Sequence, residues 1–220
     1  MIGYINEAAH CVGDWQRPQQ YSFRTGLFDY QNFTGTSSYN VSEIILHPEF
    51  NQTTLINDIA LLRSDEDIAY TYSTVLPICL PRGDVAKDFT VEQVVGKPGL
   101  VAGWESPHII RKSNVLQSTT VITIDANSCK MKIPQQNHSQ LDNSTVFCAR
   151  GQKWYDKVCS VNGGGGLFHN YGGLWYLRAI VSLTPRKEFP DGSTGCDPDG
   201  ILGFTDVARY SKWMDEHLHQ

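Results

Sequence analysis

The chain has 220 residues, 40% of them hydrophobic and 19% charged, enough for one large domain, or two small ones sharing an interface, around an ordinary core. A formal net charge of −5 and a pI near 5.8 leave no basic footprint, so nucleic acid is not an expected partner. No apolar run reaches bilayer-spanning length, and no membrane partner is expected either.

In chain order the pattern is of short strands between turns. Residues 21–28 alternate in part and are rich in aromatics, and residues 41–47 read as a strand that stops at Pro48. The run at 58–62 (Asp-Ile-Ala-Leu-Leu) fits a buried strand. Strands are expected again at 94–104, 115–124, 174–183 and 201–207, with Pro98-Gly99 and Asp191-Gly192 as turn signals between them. Beyond these, Val207, Tyr210, Met214 and Leu218 fall at helical spacing. Residues 207–219 therefore predict a terminal amphipathic helix capped by Thr205 or Asp206. The run of four glycines at 163–166 is the one compositional oddity.

Six cysteines are widely spaced, at Cys11, Cys79, Cys129, Cys148, Cys159 and Cys196, with no CxxC pair. That spacing argues against a zinc site and for disulfides formed in an oxidising compartment. No metal and no cofactor is expected. Five of the eleven asparagines, Asn32, Asn40, Asn51, Asn137 and Asn143, open N-x-S/T triplets. These are acceptors for N-linked glycans and imply surface segments of a secreted, extracellular protein. Residues 1–7 carry no leader pattern, which leads to the expectation that the chain belongs to a longer precursor.

Three segments carry the chemistry: Ala8-Ala9-His10-Cys11, Asn57-Asp58-Ile59-Ala60-Leu61-Leu62, and Cys159-Ser160-Val161-Asn162-Gly163-Gly164-Gly165-Gly166. Taken singly, the histidine reads as a packed core residue and the aspartate as a cap. Taken together and in this order, the segments resemble the chymotrypsin-like serine protease family. Further landmarks occur in sequence: Pro77-Ile78-Cys79-Leu80-Pro81, Gly103-Trp104, Leu116-Gln117, Phe147-Cys148-Ala149, Ile180-Val181-Ser182 and Gly203-Phe204-Thr205-Asp206-Val207.

The resemblance implies an all-β fold of two six-stranded antiparallel barrels and a C-terminal α-helix. An incomplete N-terminal barrel would span residues 1–78, its first strand or strands missing, with a C-terminal barrel over 79–206 and the helix over 207–220. It implies a base at His10 and a carboxylate at Asp58 that holds the imidazole's tautomer. Where the family has its nucleophilic serine stands Gly163, and glycine can form no acyl-enzyme. Loss of such a serine costs about a millionfold in rate. The oxyanion positions fall on Val161 and Gly163, and a β-branched residue resists the backbone angles a glycine takes there. Asn162 replaces the aspartate that pairs with the amine released on zymogen cleavage. Ser160, three positions from Gly163, is aimed elsewhere on a tight turn. The specificity pocket would involve Lys157, Ser182 and Thr184, with Leu183 also departing from the active pattern, as in a pocket that is filled.

By resemblance, Cys129 pairs with Cys148 and Cys159 with Cys196. Cys11 and Cys79 would take partners upstream, Cys79 through a regulatory segment. The expected function is that of a secreted, non-catalytic homologue acting as a cofactor or decoy in an extracellular proteolytic cascade, as in invertebrate immunity. Its partners would be a protease or zymogen, docked by loops such as 127–141 and 186–200. The alternative is an active trypsin-like serine endopeptidase, favoured by the retention of His10 and Asp58.

Overall fold

The structure, a computed structural model, describes residues 2–13, 16–104, 114–133, 145–152, 163–197 and 199–218. Its first part is a four-stranded antiparallel sheet. The strands are β1 (Ile2–Glu7), β2 (Ser22–Thr25), β3 (Ser37–Leu46) and β4 (Ala60–Asp67), in the spatial order β1-β4-β3-β2. Strand β4 runs on past the apolar 58–62 segment through Arg63–Asp67 because it is paired on both sides. Ladder hydrogen bonds from β1 and β3 hold its backbone whatever the side chains are.

The second part is a closed six-stranded barrel. Its strands are β5 (Pro98–Gly103), β6 (Gln117–Ile124), β7 (Val146–Gly151), β8 (Gly166–Tyr171), β9 (Leu174–Leu183) and β12 (Ile201–Asp206), in the order β12-β7-β6-β5-β8-β9. Closure removes the free sheet edges that an open sheet leaves unpaired. Val101, Val121, Phe147, Leu167, Val181, Leu202 and Phe204 fill the interior. The buried Arg178 guanidinium pairs there with both carboxylate oxygens of Asp206 and lies 4.7 Å from the Phe147 ring centroid. An all-β architecture with one complete barrel and a half-barrel sheet agrees with the fold expected from sequence.

Several local expectations are corrected. Pro98-Gly99 opens β5 and is no turn; proline is tolerated as a first strand residue. The chain reverses just before, through a short helix at Val91–Val94 and Gly96 at φ +77. The 186–200 segment contains a small hairpin of β10 (Arg186–Glu188) and β11 (Thr194–Cys196), which turns at Asp191-Gly192 as predicted. Of the 127–141 segment, a short helix at Ala126–Lys130 is seen, and residues 134–141 lie outside the described residues.

The C-terminal helix is shorter than its periodicity suggests. A 3-10 turn at Val207–Tyr210 leads into an α-helix at Ser211–Leu218. Asp206 caps this segment by accepting from the Ala208 N–H at 3.1 Å. The cap and the pair to Arg178 use the same carboxylate, which ties the end of β12 to the start of the turn. Val207, Tyr210 and Met214 then pack with Ala8, Ile59 and Leu61 of the first part and Leu177 and Ile180 of the barrel. One apolar cluster thus joins both parts and the terminal helix, and Tyr210 Oη adds a 3.0 Å hydrogen bond to Asn57 Oδ1.

Candidate functional site

Strand β1 ends at Glu7, opposite Ala60 of β4. The chain then tightens into a 3-10 turn at Ala9–Cys11, which carries His10. Asp58 stands just before β4, after Asn57 in the left-handed region at φ 56. Asparagine tolerates that conformation better than most residues. This local turn places the Asp58 carboxylate beside the His10 turn.

Asp58 is 0% exposed, and His10 is 27% exposed. The carboxylate is satisfied by three hydrogen bonds. Oδ1 accepts from the His10 backbone N–H at 2.8 Å, and Oδ2 accepts from His10 Nδ1 at 2.7 Å and from Ser182 Oγ at 2.5 Å. Ser182, expected in a pocket wall, therefore directs its hydroxyl to the buried acid. A carboxylate so bonded is compensated for its burial, and it fixes the imidazole with Nδ1 inward and Nε2 outward.

Nε2 faces Gly163. A Cβ on Gly163 would lie 2.7 Å from His10 Nε2 and 3.2 Å from Cε1. The turn holding Gly163 is tied to β9 through Gly164 N to Val181 O and Val181 N to Gly165 O, both 2.8 Å. Gly164 adopts φ +86, and a Cβ there would collide with the Glu7 carboxylate. Both the angle and the contact call for glycine at Gly164.

Glu7 and Cys11 are site residues that sequence reasoning missed in this role. Glu7 Oε1 accepts from the Ala8 N–H at 2.9 Å, and burial pushes its carboxyl above the usual range. The available signal was an acid three residues before His10, just ahead of the Ala8-Ala9 pair. Cys11 Sγ sits 3.5 Å from His10 Nε2 and 3.6 Å from the position of a Gly163 Cβ.

The hydrogen bond to Asp58, with a smaller contribution from Cys11, pushes the His10 imidazole up to about 10. At neutral pH it is an imidazolium with both nitrogens protonated.

The remaining predicted positions are spread around this centre. Thr184 follows the end of β9, half-buried. Leu183 packs against Gly203, where a Cβ would lie 2.9 Å from Leu183 Cβ, and Pro185 lies in the space a Gly200 Cβ would need. Lys157, Cys159, Ser160, Val161 and Asn162 lie outside the described residues. Cys129 and Cys148 are joined in a disulfide. Cys196 is disulfide-bonded, and its expected partner is Cys159. Cys11 and Cys79 are free thiols in this chain. Among the described residues no group of His, Cys, Asp and Glu is placed to hold a metal ion, and no helix is long and apolar enough to cross a membrane.

A half-barrel sheet and a closed barrel meeting at a His–Asp–Ser hydrogen-bond chain define the architecture of a serine-protease-type domain. The sequence matches the Trypsin family over residues 3–214, and the chain belongs to that family. It is 30% identical over 229 residues to CLIP domain-containing serine protease B4 of Anopheles gambiae, covering 98% of this chain and 59% of that protein. It is 26% identical over 239 residues to Melanization protease 1 of Drosophila melanogaster, covering 98% of this chain and 56% of that protein. Vitamin K-dependent protein C of Oryctolagus cuniculus is 26% identical over 227 residues, covering 100% of this chain and 45% of that protein. The chain spans about half the length of the curated relatives it matches.

Proposed function

We propose that this protein is a non-catalytic member of the trypsin family, secreted, that binds a protease or its zymogen as cofactor or decoy in an extracellular cascade. The observation that carries the reading is the juxtaposition of Gly163 with His10 Nε2, at 2.7 Å from a notional Cβ. The family's base faces a residue that has no nucleophile to activate. One further feature is consistent with it: Leu183, between the expected pocket residues Ser182 and Thr184, lies against Gly203, where a Cβ would stand 2.9 Å from Leu183 Cβ. The catalytic pair survives as a buried hydrogen-bonded couple that fastens the His10 turn to β9.

Likeness to two insect proteins, a CLIP domain-containing serine protease and a melanization protease, supports a place in an invertebrate protease cascade. Cys79 is half-buried, and its backbone pairs with β9 at Trp175 O, 3.2 Å, and Leu177 N, 2.9 Å. It is the proposed attachment point for an upstream regulatory segment. Display of loops on a rigid scaffold is the mechanism, since binding residues concentrate there.

The full-length protein, added to native extracellular fluid, tests this reading. It is expected to change the rate at which a cascade zymogen is activated and to co-purify with a protease or zymogen, while cleaving no peptide substrate itself. Peptide-bond hydrolysis by the purified protein would overturn it and favour the active endopeptidase, the reading to which the retained His10–Asp58 pair lends itself.

A further inference from the structure

The glycan acceptor triplets differ in what their side-chain amides are doing, and the difference selects among them. At Asn32, Oδ1 accepts from the Thr34 N–H at 3.0 Å. At Asn51, Oδ1 accepts from the Thr53 and Thr54 N–H groups, each at 3.0 Å. Both are side-chain turns that close on the hydroxyl residue of the triplet. In each the oxygen is engaged, and Nδ2, the atom that takes a sugar, has no partner among the described residues. Asn40 is the reverse. It lies within β3, opposite Ser22 of β2, and its Nδ2 donates to Asp65 Oδ2 at 3.1 Å.

Asn32 has a second distinction. It lies in the loop at residues 26–36, among three large aromatic side chains that stay in water: Phe28 at 61% exposure, Tyr30 at 49% and Phe33 at 51%. Three such rings within six residues form an apolar surface that the described residues only partly cover: Tyr30 packs on Trp104 with centroids 5.0 Å apart, and the Arg24 guanidinium lies 4.7 Å from the Phe33 centroid. The loop itself is anchored. Phe28 O accepts from Trp104 Nε1 at 3.1 Å and from the Leu116 N–H at 2.8 Å, and Tyr30 N donates to Asn114 O at 2.8 Å. Asn32 N closes a turn on Asp29 O at 2.9 Å. The rings are therefore held outward by a fixed backbone. The apolar C–H face of a pyranose is suited to lie on an aromatic ring, whose face carries partial negative charge.

We propose that Asn32 and Asn51 carry N-linked glycans, that Asn40 does not, and that the inner sugars on Asn32 cover the rings of the 26–36 loop. The inference rests on the extracellular reading, because the donor belongs to the secretory route. That donor is an oligosaccharide held through its anomeric carbon to a lipid diphosphate. Asn32 Nδ2 gives up one proton and bonds to the anomeric carbon. The bond from that carbon to the diphosphate oxygen breaks, and the lipid diphosphate leaves with the electron pair and the proton. No oxidant or reductant is needed. The same covering explains why a family domain keeps exposed aromatics on one loop without their becoming an aggregation surface.

The test is site-resolved mass spectrometry of the full-length protein expressed through a eukaryotic secretory pathway, with glycans released in heavy-oxygen water to mark each occupied asparagine. Occupancy near complete at Asn32 and Asn51, and at least tenfold lower at Asn40, is expected. Thr34→Ala is expected to remove the Asn32 glycan and raise binding of a hydrophobic dye severalfold. The triple change Phe28→Ser, Tyr30→Ser and Phe33→Ser on the Thr34→Ala background is expected to abolish that rise. Bare Asn32 in protein recovered from the medium, or equal occupancy at Asn40, overturns the inference and leaves the extracellular reading standing. Unmodified protein retained in the cytosol overturns both.

Discussion

The Asp58 carboxylate accepts from His10 twice, once from its backbone N–H at 2.8 Å and once from its imidazole at 2.7 Å. One acid thereby sets both the position of the turn and the charge of the ring. His10, ordinarily near 6.5 and pushed up to about 10 by this bond, binds a proton more tightly folded than unfolded. Its contribution to stability is full below about pH 6.5 and is lost as pH rises toward 10. His169 behaves oppositely, since burial lowers it from 6.5 to about 4. Its contribution is present above pH 6.5 and is lost as pH falls toward 4. Thermal unfolding from pH 4 to 10 is expected to show a maximum near pH 6.5. Asp58→Asn flattens the alkaline limb and returns the His10 titration, read by NMR, toward its ordinary value. His169→Asn flattens the acid limb. An alkaline limb unchanged in Asp58→Asn would contradict the assignment.

Gly164 and Glu7 form a second coupled pair, across the junction of the two parts. Gly164→Ala puts a Cβ into the Glu7 carboxylate at a backbone angle of φ +86. Left-handed backbone alone costs a non-glycine residue about 1–2 kcal/mol, and the collision adds to it. Denaturant unfolding is expected to show a loss above about 2 kcal/mol for Gly164→Ala. Glu7→Ala on that background recovers the part due to collision and leaves the part due to the angle. Strict additivity of the two changes would show that the residues do not meet.

The buried Arg178–Asp206 pair predicts an asymmetry. Removal of one partner leaves an uncompensated charge in the barrel, and Arg178→Ala or Asp206→Ala is expected to cost about 3–5 kcal/mol. Asp206→Ala also removes the cap on Ala208, so it is the more damaging of the two. Arg178→Met with Asp206→Leu is expected to be far milder than the sum, because the charges leave together. Equilibrium unfolding of the three variants decides it.

Much of the fold was legible in the sequence because its signals are local. The Ile-Ala-Leu-Leu run leading into β4, the partial alternation around β2 and the helical spacing of Val207, Tyr210 and Met214 each declare an element. Five strands were not declared, two of them the small β10–β11 hairpin. β1, β7 and β8 owe their strand state to partners: β1 to β4, β7 to β6 and β12, and β8 to β5 and β9. Pro98-Gly99 carries the composition of a turn, yet Gly99 is set against His169, whose Nε2 would lie 2.6 Å from a Cβ there. Close approach, invisible in sequence, explains that glycine. At the site, residue types and order pointed to His10, Asp58 and Gly163. Glu7 was not legible, because its role depends on a carboxylate reaching a glycine more than 150 residues away. Nor was the Ser182 hydroxyl's bond to Asp58, which depends on where β9 ends against the His10 turn.

The central claim is that His10 faces a position without a nucleophile. Treatment of the full-length secreted protein with a fluorophosphonate, followed by peptide mass spectrometry, tests it most directly, because the reagent bonds only to an activated hydroxyl. The prediction is no phosphonyl adduct on any serine, Ser160 and Ser182 included, under conditions that fully label an active trypsin-family control. A stoichiometric adduct on Ser160 or any other serine of the chain would contradict the account and restore the protein to the enzymes.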